Sequence, residues 1–295
     1  MTICGEKLEE IEMEMILAGD CEVAKALKPE VAIEAEWGSD FVDGSKLSLN
    51  HHGVNSSNPA PCVAEFSCDG LKESDVVVFS HVDLDSIGGI LNVLRDDIWL
   101  DNKRFWRVVA FVDVNGPHRL GECEHLTGCE EDRVYAWWAW SQENRAPRCQ
   151  KGESIDISGY LEDCFDVLRR ILGGDKELLE LGKEFKRKER ELNERSYVES
   201  CSGVAFRVSD SFVNHLYKSS DGVLFDVVVA YNTKFKSITI SSSGANDAID
   251  CCSLIQRAFG KEAGGHKGIA GSPRGVEYSV DDAEGFYRGV VEWVK

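Results

Sequence analysis

The stretch DVVVFSHVDLDSIGG, residues 75–89, decides the fold class of this chain. It begins with an apolar run over residues 75–79, of the kind that is buried in a parallel sheet. Apolar residues then recur at helical spacing, which predicts a helix with one buried face. These residues are Ile87, Ile90, Leu91, Leu94 and Ile98. A strand that leads directly into an amphipathic helix indicates an α/β protein.

Further apolar runs extend the pattern along the chain. Residues 108–112 predict a second strand, and the run RVYAWWAW over residues 133–140 predicts another. The first 40 residues predict a helix and then a strand over 31–35, and residues 47–49 predict a short strand. In open parallel sheets, ligands bind beyond the carboxyl ends of the strands. We therefore predict a parallel-sheet domain whose site is built from residues that follow its strands.

Three polar side chains, His81, Asp83 and Asp85, follow the strand over residues 75–79. Carboxylates at the end of an apolar sheet are costly unless a cation or hydrogen bonds compensate them. Imidazole with carboxylates suits Mn²⁺, Fe²⁺ or Zn²⁺, whereas carboxylates alone suit Mg²⁺. The competing interpretation is a helix cap, which explains one Asp but not the His and the other Asp. The stretch therefore predicts a metal site.

Two other segments supply candidate ligands. Asp113 ends the run over residues 108–112, where it would bridge two cations in a two-metal hydrolase. The alternative is an Asx-turn before Gly116. His51 and His52 follow residues 47–49, and neighbouring strand residues point to opposite faces. One His of the pair would then bind metal while the other meets substrate.

The charge balance excludes several classes of function. The chain has 33 Lys and Arg against 52 Asp and Glu, a net charge of −19. A long duplex nucleic acid is not expected as a partner, because such proteins neutralise many phosphates with basic side chains. The sequence lacks a membrane-spanning apolar stretch and signal-peptide features, and its cysteines are typical of reduced packing residues. We expect a cytoplasmic protein that binds no membrane, and the charge remains compatible with a small phosphorylated or single-stranded nucleotide ligand.

The chain divides at a charged segment. Two thirds of residues 175–195 are charged, with both signs mixed, which predicts a solvated connecting helix. Residues 161–172 before it predict an amphipathic helix. Beyond it, residues 203–208, 223–230 and 237–241 predict strands, and residues 249–259 and 283–294 predict helices. We predict a first domain over 1–174, a connector over 175–198 and a smaller α/β domain over 199–295.

A glycine-rich loop in the second domain is the candidate substrate-binding element. Gly264, Gly265 and His266 lie in a loop over residues 264–275 that also contains Arg274. Exposed backbone N–H groups of such a loop can cradle a phosphate, and His266 and Arg274 add side-chain donors. A bare glycine-rich loop is a weak signal by itself.

These motifs resemble those of the DHH phosphoesterase superfamily. HVDLDSIGG, residues 81–89, resembles the first metal motif of the family, and FVDVNGP, residues 111–117, resembles the second. NHHGVNSSNPAPC, residues 50–62, resembles the third, the Asp-His-His signature. Residues 238–271 resemble the DHH-associated C-terminal substrate-binding domain, including its Gly-Gly-His segment.

The resemblance implies a metal-dependent phosphoesterase with a parallel-sheet catalytic domain and a smaller α/β domain. It implies two Mn²⁺ ions, or Mg²⁺ in their place, and a short oligonucleotide, cyclic dinucleotide or small phosphoanhydride as substrate. The implied metal ligands are His51, His52, His81, Asp83, Asp85 and Asp113. His52 and Asp85 are also the implied catalytic residues, and Gly264, Gly265, His266 and Arg274 the substrate-binding ones.

The sequence departs from the family pattern in several places. Asn50 stands where the signature has Asp, the Arg expected before the C-terminal helix is absent, and no residue is assigned to the fourth-motif Asp. The His-His motif also precedes the His-x-Asp-x-Asp motif, the reverse of the family order, so we predict a circularly permuted sheet. A non-catalytic nucleotide-binding or interaction protein is therefore the alternative function. Trp137, Trp138 and Trp140 fit nucleobase stacking or core packing, and a homodimer is compatible with the sequence.

Overall fold

The computed structural model describes residues 13–67, 70–72, 75–246 and 248–294. These residues form an α/β protein that divides into two compact units, as predicted. The first unit comprises residues 1–114 and 122–183, and the second comprises residues 115–121 and 184–295. The division falls inside the predicted connector, so part of that helix belongs to each unit. Residues 115–121 belong to the second unit, although the sequence placed them in the first domain.

The first unit contains a five-stranded sheet, a two-stranded hairpin and several helices. Its strands are β1 (Glu14–Ala18), β2 (Val31–Ile33), β3 (Glu36–Trp37), β4 (Asp40–Phe41), β5 (Leu47–Leu49), β6 (Val76–Phe79) and β7 (Ser154–Asp156). Its helices are α1 (Cys21–Leu27), α2 (Leu84–Leu94), α3 (Asp97–Leu100), α4 (Lys103–Asn115), α5 (Gly128–Glu143), α6 (Ser158–Leu172) and the start of α7 (Lys176–Ser196). The predictions of β2, β5, β6, α2, α6 and α7 are confirmed. The helix expected near the N-terminus falls partly on residues 1–12, which lie outside the described residues.

The sheet places the carboxyl ends of β5, β2 and β6 side by side. The sheet order is β5-β2-β6-β1-β7, in which the first four strands are parallel and β7 is antiparallel at the edge. Ile33, the last residue of β2, pairs with Leu49 of β5 on one side and with Phe79 of β6 on the other. The residues that follow these three strands therefore emerge side by side at the carboxyl edge of the sheet.

Two predicted strands are helices instead. Residues 108–112 belong to α4, where Phe105, Trp106, Val108 and Val109 form one buried face. Residues 133–140 belong to α5. Apolar residues at i, i+1, i+3 and i+4 satisfy a helix as well as a short strand, and the packing of this face decides between the two. The predicted strand–helix–strand unit around β6 is therefore wrong, because both neighbours of β6 in the sheet come earlier in the chain.

Helix α2 packs closely against its surroundings through two glycines. A Cβ on Gly88 would lie 2.4 Å from the Cβ of Cys62 and 2.7 Å from the ring of Trp106. A Cβ on Gly89 would lie 2.6 Å from the Cβ of Pro61. These glycines therefore allow helix packing rather than the approach of the backbone to a ligand.

The second unit is built on a six-stranded mixed sheet. Its strands are β8 (Tyr197–Cys201), β9 (Val204–Ser209), β10 (Val227–Asn232), β11 (Ser237–Ser242), β12 (Gly264–Gly265) and β13 (Ile269–Gly271). They lie in the order β12-β13-β11-β10-β9-β8. Helices α8 (Cys251–Phe259) and α9 (Val280–Trp293) share a hydrophobic core with β9, β10 and β11. The strand predicted over 223–230 begins only at Val227, because Val223 and Phe225 take part in a turn with the preceding loop.

Two observations bear on the expected environment of the chain. Within the described ranges, each helix is either too short or too polar to cross a lipid bilayer. The cysteines in the same ranges carry free thiols, and Cys62, Cys164 and Cys251 are buried in the packing of their units. The prediction that they serve as packing residues is consistent with this burial.

Candidate metal centre

Glu34 lies at the centre of the site because it follows β2, the middle one of the three strands. Glu34 is fully buried. Its backbone φ of 48° is a left-handed conformation that costs a non-glycine residue about 1–2 kcal/mol. Both neighbouring strands fix its peptide. Glu34 N donates to Leu49 O, and Glu34 O accepts hydrogen bonds from the backbone N–H and the hydroxyl of Ser80. This buried acid was not among the predicted site residues.

His51 and His52 follow β5 and both turn toward Glu34. His51 Nε2 lies 2.7 Å and His52 Nε2 lies 3.0 Å from Glu34 Oε1. Glu36 fixes the turn, because its Oε2 accepts hydrogen bonds from the backbone N–H groups of both histidines. The prediction that the two rings point to opposite faces is wrong. The strand ends at Leu49, so strand alternation does not extend to these residues.

Asn50, which replaces the Asp of the resembled signature, has a structural role. Its Oδ1 accepts a hydrogen bond from Ala35 N at 3.0 Å, and its Nδ2 donates to Val42 O at 2.9 Å. An Asp carboxylate could accept the first bond but could not donate the second. Asn50 therefore fixes the segment between β2 and β5 that carries Glu36.

His81 and Asp83 follow β6 and approach the other oxygen of Glu34. His81 Nε2 lies 3.2 Å from Glu34 Oε2 and 3.6 Å from Asp83 Oδ2. Asp83 is also the N-cap of α2, since its Oδ1 accepts a hydrogen bond from Ser86 N. The cap and the metal ligand are therefore compatible interpretations, because they use different oxygens of one carboxylate. The side chain of His81 is 45% exposed, so this part of the site faces solvent.

Asp85 lies behind His51, away from solvent. Its side chain is 1% exposed, its Oδ1 accepts a hydrogen bond from Cys62 N at 3.0 Å, and its Oδ2 lies 3.3 Å from His51 Nε2. Cys62 belongs to the Pro/Ala-rich loop after the histidines, which Asn92 holds through hydrogen bonds to Pro61 O and Ala64 O. A carboxylate buried in this way positions His51 rather than contacting a substrate.

Asp113 reaches the site from α4 rather than from a strand. It shares a helix face with Trp106 and Val109, at spacings of seven and four residues, and both of these are buried. Its Oδ2 lies 3.3 Å from His51 Nε2. The structure therefore places Asp113 beside the cluster, as the sequence predicted, but on a different element.

Two groups of side chains bring their ligand atoms close enough to hold a divalent cation. One group is Glu34, His51, His52 and Asp113, and the other is Glu34, His81 and Asp83. Within each group the ligand atoms lie within 4.8 Å of one another, and Asp85 lies outside both groups. We call these six residues the strand-end cluster. The chain thus contains a candidate divalent metal site in which Glu34 is common to both groups.

The contacts of the cluster fit a cation better than a hydrogen-bond network. His51 Nε2 lies within 3.3 Å of three carboxylates, yet one ring nitrogen can donate at most one proton. Glu34 Oε2, Asp85 Oδ2 and Asp113 Oδ2 are buried and accept no hydrogen bond within the described part of the chain. Such oxygens are costly to bury, and a cation bound among them would offset that cost.

The pKa values of the cluster are strongly shifted. Burial favours the neutral form of Glu34, but its contacts with the imidazoles of His51, His52 and His81 outweigh burial and hold its pKa well below the usual range. Burial alone would lower the pKa values of His51 and His81. Contacts with the surrounding carboxylates raise them to about 10 and about 11 instead. Burial and repulsion from neighbouring carboxylates raise the pKa of Asp113 to about 7. Protons on the imidazoles thus supply the positive charge that a cation would bring.

The segment Gly264-Gly265-His266 forms a hairpin in the second unit. Strand β12 pairs with β13, and the turn is closed by a hydrogen bond of 2.7 Å from His266 N to Ile269 O. Gly265 has a φ of 153°, and a Cβ there would lie 2.4 Å from Ile269 O. The hairpin itself requires this glycine and uses the N–H of His266, so that N–H is not available to a phosphate. His266 and Arg274 line a cavity of about 760 Å³, and substrate binding by Gly264, Gly265, His266 and Arg274 stays a prediction.

Sequence reasoning missed Glu34, although a signal was present. The run VAIE over residues 31–34 has an acid directly after a short apolar strand, as the 75–85 stretch does with His81 and its aspartates. The alternation of Val31, Ile33 and Ala35 favoured a longer strand that would have passed through Glu34. Recognising the acid as a strand-end residue would have required knowing that β2 stops at Ile33.

Comparison with known proteins does not assign a family to the chain. No family model and no curated protein matches it. Among solved structures, it is similar to an uncharacterized protein from Helicobacter pylori G27, with 15% sequence identity over 86% of this chain and 76% of that chain. The TM-score is 0.22, and a likeness at this level assigns neither a fold nor a function.

Proposed function

We propose that this protein is a divalent-metal-dependent phosphoesterase that hydrolyses a short oligonucleotide, a cyclic dinucleotide or a small phosphoanhydride. One observation carries the proposal: Glu34 belongs to two ligand groups, so the strand-end cluster can hold two cations that share one carboxylate. Two cations in such a site neutralise phosphate charge and supply a nucleophile at neutral pH.

Burial distinguishes the roles that we assign to Asp85 and to the residues of the cluster. Glu34, His51, His52 and Asp113 would hold the inner ion, and Asp85 keeps His51 in place from behind. Glu34, His81 and Asp83 would hold the ion that faces solvent. The side chain of His52 is 44% exposed, so it is the histidine of the pair that we place next to the substrate.

The sheet topology supports the resemblance to the DHH phosphoesterases and a permuted chain order. The His-His motif and the His-x-Asp-x-Asp motif follow β5 and β6, which flank β2 in the sheet although their order along the chain is reversed. The resemblance assigned the second metal motif to Asp113, which lies on a helix. Glu34 directly follows a strand and matches the position expected for the acid of that motif. Asp113 then serves as an additional acid, supplied by a helix.

The donor set favours a particular class of metal. Two imidazole nitrogens and two carboxylates in the inner group suit Mn²⁺, Fe²⁺ or Zn²⁺ better than Mg²⁺, which prefers oxygen ligands and water. Among these ions we propose Mn²⁺ as the activating ion, because the resemblance to the DHH phosphoesterases implies it, with Mg²⁺ as a weaker substitute. The net charge of −19 favours a small or single-stranded substrate over a long duplex.

Metal stoichiometry together with turnover tests this function. Protein stripped of metal and reloaded with Mn²⁺ should bind two ions per chain and hydrolyse bis(p-nitrophenyl) phosphate, and EDTA should abolish the activity. Asp113→Asn and Asp83→Asn should each weaken a different ion, because each residue belongs to only one group. Two bound ions without turnover of any phosphodiester would favour the non-catalytic nucleotide-binding alternative. No specific metal binding would reject the proposal.

A further inference from the structure

A cavity in the first unit is continuous with the solvent-facing part of the strand-end cluster. Its volume is about 790 Å³, within the range of small-molecule sites. His81 and Asp83 belong to its lining, together with residues of α5 and of the segment 145–149 that follows it. A ligand in this cavity can therefore reach the candidate metal centre. We call it the Trp–Arg cavity, after Trp137, Trp138, Arg145 and Arg148 in its lining.

The two arginines of this lining are available to an anion. Within the described residues, neither Arg145 nor Arg148 forms an ion pair or hydrogen bond through its side chain. Acidic residues exceed basic ones by 52 to 33 in this chain, and arginines elsewhere, such as Arg169 and Arg187, do pair with carboxylates. Guanidinium groups bind phosphate through paired hydrogen bonds. Arg145 and Arg148 can therefore bind a phosphate group beside the candidate metal site.

Aromatic side chains form another part of the lining. Trp137 is buried and packs against Trp140 with 5.1 Å between ring centroids, as expected of a core residue. Trp138 is different, because its side chain is only partly buried and still lines the cavity. Tyr160 lines the same space. Stacking on an exposed aromatic ring is a common way to bind a nucleobase without reading its identity.

We infer that the Trp–Arg cavity is the nucleotide subsite of the enzyme. Trp138 stacks a nucleobase, and Arg145 and Arg148 bind a phosphate other than the one being hydrolysed. The inference rests on the proposed function and narrows its substrate to a class that carries a base and two phosphate groups, such as a 5′-phosphorylated dinucleotide or a cyclic dinucleotide. A small inorganic phosphoanhydride has no base and would leave the aromatic ring unused.

Binding without metal tests the subsite independently of catalysis. The full chain is titrated by calorimetry in EDTA with adenosine 5′-monophosphate and with adenosine. Arg145→Ala/Arg148→Ala should weaken binding of the monophosphate at least about tenfold and leave adenosine unchanged, whereas Trp138→Leu should weaken both about fivefold or more. The charge-matched control is Arg104→Ala/Arg107→Ala, because Arg107 lines a different cavity with Lys103 and Arg95. Trp140→Leu controls for loss of a Trp from the same helix.

Turnover with Mn²⁺ provides the second arm. Arg145→Ala/Arg148→Ala should lower kcat/KM for a 5′-phosphorylated dinucleotide at least about tenfold and leave bis(p-nitrophenyl) phosphate unchanged, because that substrate has no second phosphate. Equal losses for both substrates, no nucleotide binding by the wild-type chain in EDTA, or a loss only in the Arg104/Arg107 control would overturn the inference. Nucleotide binding in EDTA without turnover of any substrate would instead reject the phosphoesterase and retain the subsite.

Discussion

The strand-end cluster of the first unit and the 264–271 hairpin of the second both contain residues that the sequence predicts to bind metal or substrate, yet their polar groups are bonded differently. In the cluster, one carboxylate oxygen of Glu34 (Oε2) and one of Asp113 (Oδ2) are buried and accept no hydrogen bond from the described residues. In the hairpin, the N–H and C=O groups of His266 are both bonded to Ile269, and the hairpin geometry requires Gly265.

This difference separates a binding site from a structural element that only contains suitable residues. Polar groups that the fold already satisfies have little left to offer a ligand, whereas buried polar groups without a partner must be satisfied by something else. The cluster therefore carries the functional proposal, while substrate binding by the hairpin stays a prediction. The four predictions below test that contrast, beginning with the largest expected effect.

Glu34→Gln should affect metal binding most, because the shared carboxylate is lost to both cation positions while the shape of the side chain is kept. We expect Mn²⁺ affinity to fall by more than the roughly 10–100-fold that loss of an outer partner costs, and turnover to be abolished. Asp75→Asn is the matched control, since Asp75 is a buried carboxylate that pairs with Lys46 just before β6, at the opposite edge of the sheet. Equal losses of metal binding in both variants would show that Glu34 acts through general stability.

Asp85→Asn should have an intermediate effect, because Asp85 positions His51 without belonging to either ligand group. We expect a loss of Mn²⁺ affinity of about 10–100-fold, with two ions still bound at saturating metal. Calorimetric titration measures both quantities, and circular dichroism in EDTA controls for folding. A loss of one whole ion at saturation would mean that Asp85 is itself a ligand.

Raising the pH should strengthen metal binding. The pKa values of His51 and His81 lie at about 10 and about 11 in the metal-free chain, so both rings hold protons at pH 7 that a cation must displace. Mn²⁺ affinity should therefore rise at least roughly tenfold per pH unit between pH 6.5 and 8.5. Calorimetry in buffers with different ionisation enthalpies should detect the released protons. An affinity that does not depend on pH would exclude these histidines as ligands.

Gly265→Ala should have no effect on metal binding and a local effect on stability. The new Cβ would lie 2.4 Å from Ile269 O, at a φ of 153° that only glycine adopts readily. We expect the free energy of unfolding to fall by about 1–3 kcal/mol. Gly264→Ala is the control, because a Cβ at Gly264 meets no atom within 4 Å. Lost Mn²⁺ binding in Gly265→Ala with unchanged stability would give the hairpin a direct role in the metal site.

Local sequence patterns determined much of the first unit. The apolar run over 75–79 predicted β6, and the helical spacing after it predicted α2. The polar residues between these two elements predicted a metal site. The capping box of Asp83 and Ser86 is likewise a local signal. Such features are predictable because they depend on residues within one or two turns of each other.

The tertiary structure decided which acids come together. Asp113 reaches His51 only because the Trp106 face of α4 is buried, and a short apolar run alone does not distinguish that helix from a strand. Glu34 becomes the shared ligand only because β2 pairs between β5 and β6, which are distant from each other in the chain. Strand order depends on the burial of whole strands rather than on neighbouring residues. The sequence therefore determined the kind of site, and long-range packing determined which residues form it.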